Sequence, residues 1–308
     1  MSANFVLAHG LTEAVLELTL YGAFTVLFST VVYLFSARGL IKRKSPTFFV
    51  FLALVVLFLS ITAHWINGIY VVYLVFIRLG GGFAGEVEYL TLSTKESLAH
   101  LSLVEVATVT TDSLMIYRLY VVWSYDRRVV IFPGCMILCQ MVAGIHIIYD
   151  FAHETIFNFY NLSNPWVTTS LVSSLVISAY STGMIIFKIT RMSSSIRSLT
   201  GRPSSGKSLR RVLAIIVESA VLQTTMTVGI LVSFQIGLLV QALLTAIQPV
   251  VFGISVLLIH LRVGLGWTAD SNTIGSTPTQ LTTLRLSASM APRREQEDDL
   301  ERGKVASF

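Results

Sequence analysis

Seven long apolar stretches dominate this sequence and constrain its fold more than any other feature. A helix that crosses a bilayer needs about 20 mainly apolar residues, at a rise of roughly 1.5 Å each. Segments at about 14–37, 47–76, 98–123, 129–150, 166–190, 211–234 and 238–261 meet that requirement. The expected fold is an all-α bundle of seven transmembrane helices over residues 1–265. A disordered, Ser- and Thr-rich cytosolic tail is expected over 266–308. Composition agrees: 54% of the 308 residues are hydrophobic and 13% charged, against roughly 25% charged in soluble domains. So few charges cannot cover a soluble surface of this size, which excludes a cytosolic enzyme, a secreted disulfide scaffold and a disordered regulator. The first ten residues carry no basic stretch and no small-residue cleavage site. The first helix is therefore expected to direct insertion itself.

The net charge of +5 would point a soluble protein toward nucleic acid. Its distribution gives it another meaning. Basic residues cluster at Arg38 to Lys44, at Arg118 to Arg128, at Lys188 to Arg211 and from Arg262 onward; only Arg78 and Lys95 fall on the other side of the expected spans. By the positive-inside rule the N-terminus lies outside and the C-terminus in the cytosol. The partner this implies is the lipid bilayer, of the plasma membrane or an endomembrane, and not nucleic acid. Asn161-Leu162-Ser163 is a glycosylation sequon in the loop between helices four and five, outside in that topology. Asn161 is therefore the glycosylation candidate. The outer connection at about 78–97 opens on Gly80-Gly81-Gly82 and is long enough for a small cap over the bundle, although a solvated loop is the simpler reading.

Ionisable residues inside a bilayer are costly, so each is a candidate functional residue. Glu105 and Asp112 on helix three are seven apart and share a face, with Thr108 between them. His64 on helix two and His146 on helix four lie at about the height of Glu105, roughly 25 Å from the cytosolic edge by helical rise. A His64–Glu105–His146 group could bind a metal, relay protons or line a ligand pocket; separate interhelical hydrogen bonds are the plainer alternative. Lower down, Arg118 on helix three and Glu218 on helix six are expected to pair. Such a pair would be either a permanent structural link or a switch that lets helix six swing outward. Pro249 on helix seven is a hinge candidate, because proline frees a helix carbonyl. Cys135 and Cys139 are one helical turn apart, a spacing that does not suit a disulfide.

One motif match is set aside on context. Gly201-Arg202-Pro203-Ser204-Ser205-Gly206-Lys207-Ser208 fits the phosphate-loop pattern G-x-x-x-x-G-K-S. That chemistry needs a preceding strand and sheet, whereas here a transmembrane helix precedes it. No nucleotide is expected; the basic segment 191–211 instead faces an anionic leaflet and is a possible docking site for a cytosolic signalling partner.

Tyr117-Arg118-Leu119-Tyr120-Val121-Val122-Trp123, Arg210-Arg211 through Glu218-Ser219, and Arg262-Val263-Gly264-Leu265-Gly266 resemble segments of a group of multi-pass membrane proteins of mushroom-forming fungi. That resemblance implies a source and an architecture. A looser similarity is to G-protein-coupled receptors, through seven helices, an arginine low on helix three and a proline in helix seven. Tyr117 stands where their motif carries an acid, and Gln248-Pro249-Val250-Val251-Phe252 echoes N-P-x-x-Y without matching it. Ser60-Ile61-Thr62-Ala63-His64 is similar to the S-x-x-x-H of seven-helix zinc hydrolases of the ceramidase and adiponectin-receptor type, with Asp112 as a counterpart of their aspartate. Their paired histidines on the last helix are missing, and His260 stands alone, so no metal and no cofactor is expected.

The first function expected is a receptor-like or sensor protein rather than an enzyme; its ligand is not identified by the sequence, a small hydrophobic molecule being one candidate. The second is a membrane-embedded enzyme of lipid or terpenoid metabolism that uses the acids of helix three. Transport ranks third, because no inverted repeat or pair of broken helices is visible.

Overall fold

The computed structural model describes residues 3–37, 46–78, 95–153, 164–200, 204–236 and 240–274. They form seven long helices: α1 (Ala3–Ala37), α2 (Pro46–Tyr73, prolonged by a π-helical turn Leu74–Arg78), α3 (Lys95–Val122), α4 (Arg128–His153), α5 (Pro165–Thr200), α6 (Ser204–Ile236) and α7 (Val240–Ile274). Among the described residues there is no strand. Six helices are long and apolar enough to cross a membrane, as in a multi-pass membrane protein. The exception is α3. It has the length of the third expected span, but Glu105, Asp112 and Arg118 interrupt its apolar run.

Several helices outrun the apolar stretches that predict them. α5 continues past residue 190 to Thr200, α6 begins at Ser204, seven residues before the expected start, and α7 runs to Ile274. The tail expected to be disordered from residue 266 therefore begins as helix. Apolarity reports the width of a bilayer, whereas the helix is propagated by backbone bonding that polar residues also sustain. By packing, Met1–Val263 forms one unit and Gly264–Phe308 a second.

Packing fixes a hub. α3 lies against α2, α4 and α5; α1 lies against α2, and α6 against α5. On one side of α3 the core is apolar: Phe24, Leu57, Ile61, Ala107, Val250 and Val256 pack together from α1, α2, α3 and α7. Gly253 makes the closure of α7 possible, because a Cβ there would stand 2.6 Å from both the Phe24 ring and Ile61 Cδ1. On the other side the interior is polar, with Gln140, Ser170, Ser174, Ser178, Gln223 and Thr227 all buried. Ser170, Ser174, Ser178 and Ser181 repeat at helical spacing along α5, and such small residues let neighbouring helices approach closely. Outward, Leu59, Ile77, Ile131 and Ile145 are each more than 60% exposed, an apolar surface too extensive for water.

Proline and strain mark the helix ends. Pro133 cannot donate to Val129 O, and the Tyr180 hydroxyl donates to that freed carbonyl at 3.3 Å. Ser124 and Tyr125, between α3 and α4, adopt the left-handed backbone at φ 55° and 68°, at about 1–2 kcal/mol each for a non-glycine residue. Asp126 Oδ1 then accepts from Arg128 N at 3.1 Å and caps α4.

Candidate functional site

The polar face of α3 organises the interior. For orientation, the end of the bundle at Lys95 is termed upper and that at Val122 lower. Asp112 is fully buried. Its Oδ2 accepts from Gln140 Nε2 of α4 at 3.0 Å, and its Oδ1 from Gln223 Nε2 of α6 at 3.1 Å. One carboxyl group thus links three helices. A turn higher, Gln248 Nε2 of α7 donates to Thr108 Oγ1 at 3.2 Å, and Thr108 in turn donates to Val104 O. The amide oxygens of Gln140 and Gln223 find no hydrogen-bond partner.

Above this network lies a cavity of about 50 Å³ between α3, α4, α5, α6 and α7. Glu105, Thr108, Ser170, Ser174, Gln241 and Gln248 contribute its polar lining, and Leu101, Ile147, Leu171 and Phe234 form much of its apolar wall. Glu105 is poorly served. Its Oε1 accepts from Ser170 Oγ at 3.5 Å, the outer limit of a hydrogen bond, and its Oε2 is buried without a partner. Gln241 Oε1, on the same lining, is likewise without a partner, and Ser174 Oγ has none at close range beyond its interaction with the Asp112 carboxylate. Gly144 of α4 makes room for the carboxylate, since a Cβ there would stand 3.1 Å from Glu105 Oε2.

A second cluster joins the upper parts of α1, α2 and α3. His64 Nδ1 lies 2.9 Å from Glu17 Oε1, and His64 Nε2 lies 3.2 Å from His100 Nε2. Glu17 is 5% exposed and His64 fully buried. A carboxylate fixes the imidazole beside it as the acceptor of Nδ1–H, which leaves Nε2 to face the second ring. Gly68 gives the Glu17 carboxylate its space, with a hypothetical Cβ 2.9 Å from Oε2. Neither Glu17 nor His100 was expected from the sequence. Glu17 was nonetheless detectable, as an acid inside the first expected span.

The expected His64–Glu105–His146 group does not assemble. His64 turns to Glu17 and His100, Glu105 turns to Ser170, and His146 is exposed and stacks on Trp166 with ring centroids 4.2 Å apart. Equal height on neighbouring helices leaves azimuth open, and each residue turns a helix by about 100°. Among the described residues no group of three or more His, Cys, Asp or Glu could hold a metal ion.

The lower end holds another surprise. Arg118 Nη2 donates to Val256 O at 3.1 Å and to His260 Nδ1 at 2.7 Å, both on α7. Arg118 is thus tied to the last helix rather than to Glu218, whose side chain is exposed on α6. Pro249 sits within a continuous α7 and removes the donor that Thr245 O would otherwise have. Thr245 lines the cavity. At the phosphate-loop match, helix runs through Thr200 and again from Ser204, and residues 201–203 lie outside the described residues; among the described residues no strand precedes it. Asn161 also lies outside them.

Comparison with protein-family models, with curated proteins and with solved structures finds no match.

Proposed function

We propose that the chain is a receptor-like or sensor protein of a membrane, with the upper cavity as its ligand site. In this reading α3 is the seventh span, its charges sheltered by the helices around it. The distribution of lysine and arginine supports an outer upper end and a cytosolic lower end. That orientation predicts a glycan at Asn161. Expression in a eukaryotic host is expected to yield a form whose gel mobility increases on glycosidase treatment. Asn161→Gln should abolish that change. An unglycosylated wild-type chain would leave the orientation on the charge distribution alone, and a cytosolic location of this loop in protease protection would overturn it.

The observation that carries the functional reading is the placement of two contacts on the same pair of helices. Near the cavity, Thr108 of α3 bonds to Gln248 of α7; at the lower end, Arg118 of α3 bonds to Val256 and His260 of α7. An occupant that shifts α3 against α7 above must strain the lower contact, the two-state element a sensor needs. Spin labels at Val121 on α3 and Val221 on α6, both exposed, test this in a chain whose exposed Cys135 and Cys139 are replaced by serine. Arg118→Ala and Glu105→Gln should each shift or broaden the label–label distance distribution. A distribution untouched by both changes would overturn the reading.

An enzyme of lipid or terpenoid metabolism is the second reading. It draws on the Glu17–His64–His100 chain, which can hold and pass a proton, rather than on the acids of α3.

A further inference from the structure

We propose that the upper cavity binds a small monovalent cation, an alkali ion or the head of a primary amine, through the Glu105 carboxylate, the Gln241 amide oxygen and the Ser174 hydroxyl. The inference names the ligand class of the site discussed above and so rests on that reading of the cavity.

Two buried oxygens on one lining, Glu105 Oε2 on α3 and Gln241 Oε1 on α7, have no hydrogen-bond partner, and a third, Ser174 Oγ on α5, has none at close range beyond its interaction with the Asp112 carboxylate. Ser174 is 2% exposed and Gln241 6%, so bulk water does not serve them. Buried polar groups left unsatisfied are rare and each calls for a reason. Two of the three are pure acceptors when Glu105 is ionised, and the hydroxyl can accept as well. Their complement is a group that brings positive charge or several donors.

Charge balance selects the valence. The lining contains one carboxylate and no lysine, arginine or histidine. Asp112, one carboxylate further down, is held by its own two amide donors, so a single positive charge neutralises Glu105, whereas a divalent ion at Glu105 alone would leave a net charge in an interior that tolerates none cheaply. Volume selects the size. About 50 Å³ accommodates a few water-sized spheres at roughly 10–15 Å³ each, enough for an ion with a water or for an ammonium group. Oxygen-only ligation suits hard cations, and no thiol or imidazole lines the site to favour a soft one.

The full-length protein in lipid nanodiscs tests the proposal through thermal unfolding and radioactive sodium binding. Sodium is compared with choline at constant ionic strength. Sodium is expected to raise the melting temperature saturably, with one site per chain. Glu105→Gln, which keeps the side-chain shape, should weaken binding by at least about tenfold, the loss of one charge-assisted contact. Ser174→Ala and Gln241→Leu should weaken it by smaller factors, and Glu96→Gln, outside the cavity, should leave it unchanged. Gly144→Ala gives an independent check, because its Cβ crowds Glu105 Oε2 without removing a ligand; weaker binding is expected. Butylammonium that competes with sodium, or binds alone through the same residues, identifies an amine head as the ligand; sodium binding without competition identifies an alkali ion. Equal unfolding in sodium and choline with no effect of butylammonium overturns the proposal. So does a sodium effect that survives Glu105→Gln, or equal stabilisation by magnesium through the same residues. A bound cation with no change in the Val121–Val221 distance would uphold the site and defeat the receptor reading, which separates the two.

Discussion

Asp112→Ala is expected to lower the free energy of unfolding by about 2–4 kcal/mol, the largest effect of any single change on the polar half of the bundle. The carboxyl group accepts from Gln140 and Gln223 at once, and its removal strands two buried amide donors on two helices. Interhelical hydrogen bonds in membranes average about 0.6 kcal/mol and reach about 1.7 kcal/mol. Two strong ones, with the small cavity that alanine leaves, account for the expected size. Asp112→Asn should be far milder, at about 1 kcal/mol or less. The new amide would set an N–H against one glutamine N–H, but a half-turn of that glutamine's amide presents its oxygen instead. The oxygens of both glutamines have no other partner to lose. The triple change Asp112→Leu, Gln140→Leu and Gln223→Leu removes every polar partner together and is expected to be less damaging than Asp112→Ala alone. Reversible unfolding in bicelles measures all three. An Asp112→Ala cost below about 1 kcal/mol, or a triple variant worse than the single one, would show that the three groups are not held as a unit.

The helical bundle was legible in the sequence because a bilayer imposes a length and an apolarity that six of the seven helices display. The helix ends were less so: residues 204–210 and 262–274 are polar enough to end an apolar run yet remain helical. Within the interior, identity and height could be read and direction could not. Glu105 and Asp112 both turn into the bundle from one face of α3, but the partners of Asp112 are glutamines on α4 and α6. A neutral amide is inexpensive inside a hydrophobic run and leaves little mark there. Glu17 obeyed the same rule that selected Glu105, and His64 finds its carboxylate on α1 rather than on α3. The choice between those acids depends on helix rotation, which a single sequence at period 3.6 does not determine across helices. Glu218 shows the converse. It is the only acid of α6, yet its position on the helix turns it to the exposed side, while an unremarkable histidine near the end of α7 faces Arg118.

That exchange of partners yields the second large effect. Arg118→Ala is expected to cost about 2–4 kcal/mol, because the guanidinium makes two charge-assisted hydrogen bonds, each of about 1.5–3 kcal/mol before relaxation. Both reach α7 through one nitrogen, at 3.1 Å to Val256 O and 2.7 Å to His260 Nδ1. The imidazole can accept at Nδ1 only if its hydrogen sits on Nε2, so Arg118 selects that tautomer. The same Nδ1 lies 2.9 Å from Val256 O; a hydrogen there would point at the carbonyl and expel the arginine from its second bond. Arg118→Lys keeps the charge but offers a point donor in place of the planar fork and should recover less than half of the loss. Double-mutant cycles decide between the partners. Arg118→Ala and His260→Ala should be coupled by about 1 kcal/mol or more, whereas Arg118→Ala and Glu218→Ala should add within about 0.5 kcal/mol. Strong coupling to Glu218 with none to His260 would return the arginine to α6, and with it the outward swing of that helix. Coupling to His260 instead makes the lower end a clasp between α3 and α7, the two helices that also meet at the cavity through Thr108 and Gln248. A single rotation of α3 would then open or close both ends together.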